Sequence, residues 1–382
     1  MKQLKVIFVT NIISPYLVPL FNYIAQHGSF KFRVISIAEN EANRQWRIRT
    51  ENIRFSYSIL PGFHWFIWSK ELPIHINQGV WRYFLKEGPD IVITSGWSCL
   101  AYWEAFLYCK LFKKKNILWN GTTLLSVRKP TGLLARLKRF MIKGADLSIT
   151  YGTKAAEFLE YMGASRDQVH VGVNTVDMEW FSRRVGDIRH SDDIQERRLK
   201  YPKFLILYVG QLVARKGILQ VLRALEEISD PSIGFMIVGS GPQEKELRHF
   251  CSDRGIKKNV FFEDFQQMTV LPEYYALADV LILPSFKEVW GLVVNEALAS
   301  GLYVLCSNRA GAAYDLIQPG WNGVLFDPND IYEITSAIRH AREKVEDIRM
   351  RCGDISGHAV KKFSIAKAGE VFLSAIHSLK NQ

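Results

Sequence analysis

Glu288 and Glu296 stand eight positions apart in Phe286-Lys287-Glu288-Val289-Trp290-Gly291-Leu292-Val293-Val294-Asn295-Glu296-Ala297-Leu298-Ala299-Ser300-Gly301, with Gly291 placed where a helix should open. Carboxylates hydrogen-bond hydroxyl groups well and repel phosphates. Helix-start amides and Arg or Lys side chains attract phosphates. Two carboxylates flanking a helix start therefore suit a ligand with hydroxyls at both ends and a diphosphate in the middle. One carboxylate could reach a sugar ring and the other a ribose. Twenty-two Glu in the chain give about one such pair by chance, so the specificity must come from the surroundings.

Three neighbouring segments supply candidates. In Tyr208-Val209-Gly210-Gln211-Leu212-Val213-Ala214-Arg215-Lys216-Gly217, a strand ends at a Gly that permits close backbone approach, and two cations stand before the next helix. Arg215 and Lys216 either clamp a diphosphate, at about 1.5–3 kcal/mol per charge-assisted hydrogen bond, or belong to a solvated basic loop. Gly239-Ser240-Gly241-Pro242 also follows a strand, and either lets a nucleotide lie against the backbone or simply makes a good turn. Pro284-Ser285-Phe286-Lys287-Glu288 places Glu288 on a loop. Gly291, without a Cβ, lets the amides of Gly291, Leu292 and Val293 face an anion. For Glu296 the plain alternative is an ordinary helix residue, although its apolar neighbours imply partial burial and a hydrogen-bond partner.

The elements that must position these residues alternate between strand and helix. Val6–Thr10, Phe32–Ile37, Ile91–Ser95, Asn116–Trp119 and Leu147–Tyr151 read as short buried strands. Leu17–Gln26, Cys99–Phe112, Leu133–Lys143 and Thr153–Met162 read as helices. The grammar restarts with strands at Phe204–Val209, Gly234–Val238, Val260–Glu263, Val280–Leu283, Leu302–Ser307 and Gly323–Phe326, and helices at Ile218–Glu227 and Gln243–Cys251. This is an α/β chain with two Rossmann-like, doubly wound parallel sheets and a ligand cleft expected between them. The expected domains are 1–181, a connection at 182–202 without apolar periodicity, and 203–362. A closing helix at 363–382 is expected to return to the first domain.

Composition narrows the class. Hydrophobic residues make up 48% and charged residues 23% of 382 residues, which is globular and large enough for two cores. Met1-Lys2-Gln3-Leu4-Lys5 runs straight into an apolar strand and does not resemble a signal peptide, and no apolar run reaches membrane-spanning length. The odd set Cys99, Cys109, Cys251, Cys306 and Cys352 lacks C-x-x-C spacing and reads as reduced, packed thiols of a cytoplasmic protein. Residues 1–150 hold 21 Lys+Arg and 8 Asp+Glu, a net of +13 against +11 for the whole chain. The excess positive charge lies entirely in the first 150 residues and points to an anionic surface or substrate there. Leu133–Lys143 reads, by itself, as a helix packing its apolar stripe on the sheet. Phe63-His64-Trp65-Phe66-Ile67-Trp68 reads as core or packed loop, with an acceptor-facing surface as the alternative. His64, His75, His170 and His249 lack ligand-like spacing, and no carboxylate or His cluster is evident in the first domain.

Taken in order, Gly210, Arg215-Lys216-Gly217, Gly239-Ser240-Gly241-Pro242, Tyr275-Ala276-Leu277-Ala278-Asp279-Val280, Glu288…Glu296, Ser300-Gly301, Gly311 and Asn322-Gly323 resemble the family 4 retaining glycosyltransferases. The closing Phe363-Ser364…Val371-Phe372 is similar to that family's last helix. The resemblance implies the GT-B architecture of two facing Rossmann-like domains. It further implies that Arg215 and Lys216 bind the donor diphosphate with the amides near Gly291, Leu292 and Val293. Gly210 and Gly239 would allow close approach, Glu288 would contact the transferred sugar, and Glu296 the ribose. The family needs no metal cofactor, and this chain has no Asp-x-Asp. Its usual chemistry is front-face attack by an acceptor hydroxyl, with the leaving phosphate taking the proton.

The first domain departs from the family pattern. Thr10-Asn11-Ile12-Ile13-Ser14-Pro15 stands where many members have Gly-Gly, and Trp119-Asn120-Gly121-Thr122-Thr123 where many have a His. Asn120 can hydrogen-bond sugar or phosphate but carries no charge. The resulting expectation is a glycosyltransferase using a nucleotide diphosphate sugar, uridine favoured by family frequency. The acceptor would be a lipid-linked glycan in cell-surface polysaccharide or glycoconjugate assembly. The basic domain would lie on the anionic inner face of the cell membrane, and nucleic acid is not expected as a partner. Two alternatives are a nucleotide-sugar epimerase of the same fold and a non-catalytic nucleotide-sugar-binding subunit of a polysaccharide complex.

Overall fold

The computed structural model describes residues 3–42, 44–46, 50–67, 72–127 and 131–380. The chain forms two compact units, Met1–Asn174 with Ile365–Gln382, and Thr175–Ser364.

In the first unit the strands are β1 (Lys5–Thr10), β2 (Lys31–Ser36), β3 (Ser56–Ile59), β4 (Gly62–Ile67), β5 (Leu72–Asn77), β6 (Ile91–Thr94), β7 (Lys115–Asn120), β8 (Leu147–Thr150) and β9 (Val169–Val171). Seven of them form a sheet in the order β3-β2-β1-β6-β7-β8-β9, every neighbour parallel, while β4 and β5 make a separate antiparallel hairpin. The unbroken apolar run of β1 follows from burial on both faces. Val6 and Phe8 pack with Phe21 and Ile24 of helix Val18–His27 and with Phe372 and Ile376 of helix Ile365–Lys380. Ile7 and Val9 face the other way, toward Tyr102 and Phe84. The closing helix thus belongs to the first unit.

The second unit has β10 (Phe204–Val209), β11 (Ile233–Val238), β12 (Val260–Glu263), β13 (Val280–Leu283), β14 (Tyr303–Ser307) and β15 (Gly323–Phe326). Their order, β12-β11-β10-β13-β14-β15, is wholly parallel. Chain direction across the sheet reverses between β10 and β13, which is the switch point where loops diverge and open sheets bind ligands. Phe204, Ile206 and Tyr208 of β10 enter one core with Val221, Leu222 and Leu225 of helix Ile218–Ile228.

Three sequence expectations need correction. Residues 182–202 are not an irregular connection: helix Met178–Arg189 buries Met178, Phe181 and Val185, and helix Asp192–Arg198 follows. The apolar periodicity begins before Ser182, and Asp177 caps it by accepting from the Trp180 amide at 3.0 Å. The aromatic run beginning at Phe63 is neither core nor packed loop over its described part. It is β4, and its register on β5 sets Phe63 and Trp65 opposite Ile76 and Ile74, all four exposed (Trp68 lies outside the described residues). Helix Gly132–Gly144 turns only Ala135, Met141 and Ile142 into the unit, leaving Leu133, Leu134, Leu137 and Phe140 exposed.

Candidate functional site

At the switch point the backbone is locked before any side chain acts. After β10, Gly217 (φ +70°) begins the next helix so close to β13 that a Cβ would lie 2.1 Å from the Pro284 carbonyl oxygen. The Phe286 amide donates to the Arg215 carbonyl at 2.9 Å. On the other side, a Cβ on Gly239 (φ +149°) would meet the Gly210 oxygen at 1.9 Å, and one on Gly241 the Leu212 oxygen at 2.4 Å. The Leu212 amide donates to Ser240 at 2.9 Å. These glycines first serve loop-to-loop packing, the plainer of their two sequence readings. The seam they make holds three neighbouring strand ends in fixed relation.

That seam brings Lys216 onto Glu288. The Lys216 ammonium donates to the Glu288 carboxylate, and each side chain is 14% exposed. Arg215, one residue earlier, donates from Nη2 to Gln211 Oε1 at 3.4 Å. Glu288 is fixed from behind by the loop after β14: its carbonyl accepts from Gly311 at 3.3 Å, and the Trp290 carbonyl accepts from Ala312 at 3.1 Å.

Gly291 then takes φ +102°, a left-handed conformation that disfavours side chains, and opens helix Leu292–Ala299 with no side-chain cap. The Val294 amide turns back to the Gly291 carbonyl at 2.9 Å. The half-buried amides of Leu292 and Val293 occupy the helix start, whose N–H groups lack intrahelical acceptors. Carboxylate and ammonium therefore meet three residues before the helix start.

Glu296 lies differently. From Val294 to Ala299 every residue is buried, and Glu296 Oε2 accepts a 2.5 Å hydrogen bond from Tyr275 Oη. Tyr275 thus holds one oxygen of this buried carboxylate inside the unit. Asp279, from the same segment as Tyr275, is a structural hub: buried, it accepts from Arg198 at 3.0 Å, Arg349 at 2.8 Å and the Leu205 amide at 2.8 Å. Neither the Tyr275–Glu296 bond nor the Asp279 hub is visible in local spacing.

In the first unit, Asn120 ends β7 and is buried. It closes a local turn, with Oδ1 accepting from the Thr122 amide at 2.9 Å and Nδ2 donating to Thr122 Oγ1 at 3.4 Å. The expectation that no His or carboxylate cluster exists here is overturned. Asn11 Oδ1 accepts from Tyr102 Oη at 2.6 Å, and Asn11 Nδ2 donates to Glu41 Oε1 at 3.2 Å. That oxygen lies 3.4 Å from His75 Nε2, and His75 Nδ1 lies 3.0 Å from His64 Nδ1. The hairpin register pairs His64 with His75 across strands, which sequence spacing cannot show. Burial raises the Glu41 pKa, but hydrogen bonding to His75, the Arg44 and His75 charges and the Asn11 bond together hold it below the ordinary value. Burial and then His75 lower that of His64. Among the described residues, no group of three or more His, Cys, Asp or Glu is arranged to hold a metal ion, and no helix is long and apolar enough to cross a membrane.

The family described as Glycosyl transferases group 1 matches residues 190–355. A D-inositol 3-phosphate glycosyltransferase of Thermomonospora curvata is 32% identical over 215 residues, covering 53% of this chain and 50% of that protein. Sulfoquinovosyl transferase SQD2 of Arabidopsis thaliana is 30% identical over 222 residues, 55% of this chain and 41% of that one. The aligned segment thus spans about half or less of these relatives' length. Anabaena HepE, crystallised with UDP and glucose, superposes with TM-score 0.76 at 17% identity over 98% of this chain and 100% of its own. WaaG, described as a glycosyltransferase of lipopolysaccharide biosynthesis, does so with TM-score 0.66 at 16% identity over 96% and 98%. These likenesses give the fold: two Rossmann-like units in one chain, the GT-B architecture. Residues 190–355, the segment that carries Lys216, Glu288 and Gly291, match the family of glycosyl transferases group 1.

Proposed function

We propose that this chain transfers a sugar from a nucleoside diphosphate sugar to a hydroxyl acceptor, with retention at the anomeric carbon and without a metal. The observation that carries the reading is the Lys216–Glu288 pair beside the uncapped helix start at Gly291. In this mechanism Arg215, Lys216 and the Leu292 and Val293 amides hold the diphosphate and stabilise the charge that grows on it as the glycosidic bond breaks. Glu288 accepts from hydroxyls of the transferred sugar. The acceptor oxygen bonds to the anomeric carbon on the face the phosphate leaves, and its proton passes to a departing phosphate oxygen. Glu296 is the ribose partner, its carboxylate able to accept from a ribose hydroxyl as well as from Tyr275.

HepE's UDP and glucose support a uridine donor here, and a lipid-linked acceptor is supported by the name of a Mycolicibacterium smegmatis relative, a GDP-mannose-dependent alpha-(1-6)-phosphatidylinositol monomannoside mannosyltransferase. We place the acceptor in cell-surface glycan assembly, with the protein on the anionic inner face of the cell membrane. A thermal-shift screen over UDP, GDP, ADP and their sugars tests the donor. A ligand at 100 times its dissociation constant adds about 2.7 kcal/mol. If no nucleotide stabilises the fold, the donor assignment fails.

The Glu41–His75–His64 chain gives a second reading, nucleotide-sugar epimerisation, one specific observation in its favour. Acceptor-free incubation with donor decides it: an epimerised nucleotide sugar supports this reading, and unchanged donor rejects it.

A further inference from the structure

Helix Gly132–Gly144 carries Arg136, Lys138, Arg139 and Lys143 and no carboxylate. Its buried residues are few: Ala135, Met141 and Ile142, with Lys138 half-buried over the Trp97 ring at 5.6 Å. Four other large apolar side chains lie in water. Leu133 is 71% exposed, Leu134 73%, Leu137 43% and Phe140 58%. Leu133, Leu137 and Phe140 follow one another at four and three residues, a single helical stripe. Arg136, Arg139 and Lys143 repeat at three and four, forming the adjoining stripe between the apolar side and the buried one. Single exposed apolar residues are ordinary on a protein surface, but four on one helix side are not. The edge of Phe140 rests on Phe106 at 5.6 Å, and Lys110 lies over the Phe106 ring at 5.6 Å, so the neighbouring helix extends the basic rim. An apolar stripe bordered by cations, on an element without acids, fits one environment: the boundary between headgroups and acyl chains of an anionic leaflet. A protein partner matching only the Leu and Phe residues would not need the cationic border.

We propose that helix Gly132–Gly144 is the membrane-docking element of this protein, laying Leu133, Leu134, Leu137 and Phe140 into an anionic phospholipid surface while Arg136, Arg139 and Lys143 meet the headgroups. The inference rests on the reading above only for which membrane is meant, and it stands or falls apart from sugar transfer. Electrostatics brings the cations down: each one near an anionic surface is worth about fivefold in partitioning. Insertion of each large apolar side chain adds about tenfold.

The test is flotation of the full chain with phosphatidylcholine vesicles, with and without phosphatidylglycerol, in low and high salt. The unaltered chain should float with anionic vesicles and much less with neutral ones. Joint substitution L133S/L134S/L137S/F140S should abolish flotation. R136E/R139E/K143E should lower partitioning into anionic vesicles about a hundredfold while leaving weak, salt-insensitive binding. F140W should give a blue-shifted emission with anionic vesicles alone. Stabilisation by UDP reports the donor site of the second unit, so it separates failure of the helix from failure of the transferase reading, and thermal melts show that each variant is folded. Equal flotation of the Ser variant and the unaltered chain overturns the proposal. So does a chain that ignores vesicles but self-associates through this helix, shown by a dimer that the Ser variant loses.

Discussion

Replacing Glu288 by Ala separates the two tasks the candidate site combines. In the structure this carboxylate sits on Lys216, with both side chains 14% exposed, so it neutralises the cation that should hold the diphosphate. In the proposed mechanism Glu288 and the donor phosphate compete for Lys216. Glu288→Ala removes the competitor. The freed ammonium can form its phosphate bond without breaking another, and a charge-assisted hydrogen bond is worth about 1.5–3 kcal/mol. UDP should therefore bind as well as before or up to about tenfold tighter. The unliganded protein should lose about 2–3 kcal/mol, somewhat under the cost of truncating a fully buried pair. Turnover should fall roughly a hundred- to a thousandfold, because a contact strengthened only in the transition state is gone. Calorimetric titration with UDP, thermal melts and product formation from donor plus acceptor read the three quantities independently. Full turnover would refute the sugar contact. Loss of UDP binding in a folded variant would show that Glu288 shapes the loop and does not compete for Lys216.

Other perturbations follow from the same geometry. Gly239→Ala and Gly217→Ala force a Cβ to within 1.9 and 2.1 Å of a carbonyl oxygen and should abolish UDP stabilisation, whereas Gly79→Ala, at φ +80° with open space, should cost only about 1–2 kcal/mol in a denaturant melt. Asp279→Ala leaves Arg198 and Arg349 without their buried carboxylate and should cost about 3–5 kcal/mol; a loss below 1 kcal/mol would remove its role as hub. Glu41 is held below its ordinary value of 4.5, so its contribution is present above that pH and lost as pH falls through the folded value. His64 is also depressed, so below its ordinary 6.5 the unfolded chain takes the proton first and stability falls with acidification. His64→Gln should flatten the decline in melting temperature below that pH, and an unchanged slope contradicts the assignment.

The second unit is legible in the sequence because parallel strands buried on both faces must be runs such as Phe204–Val209 or Val280–Leu283. Gly217 and Gly291 are equally readable, since each stands where a strand hands over to a helix. Edge strands β3 and β9 are short and half-exposed and leave no such run. Helix Met178–Arg189 does leave a signal, Asp177 followed by apolar positions at Met178, Phe181 and Val185, but a boundary placed at Ser182 cuts through it. The surface role of Leu133–Phe140 is hidden for another reason: amphipathic periodicity gives the stripe, not whether core or water lies against it. Tyr275 on Glu296 and the His64–His75–Glu41 chain depend on packing and strand register between distant segments.

The helix Ile365–Lys380 sets Phe372 against Phe8 at 6.0 Å and Trp119 at 5.8 Å, and a Cβ on Gly369 would lie 2.2 Å from the Tyr23 ring. During synthesis, β1 is made before the second unit, yet one face of its sheet is only partly covered, by helix Val18–His27, until after the second unit is complete. Domains normally fold as they emerge, amino-terminal first. Here the nascent first unit waits with Phe8, Phe21 and Trp119 incompletely covered, a natural client for a chaperone, while the second unit can close its own core at once. The two units must therefore finish folding in the reverse of the order in which they begin translation.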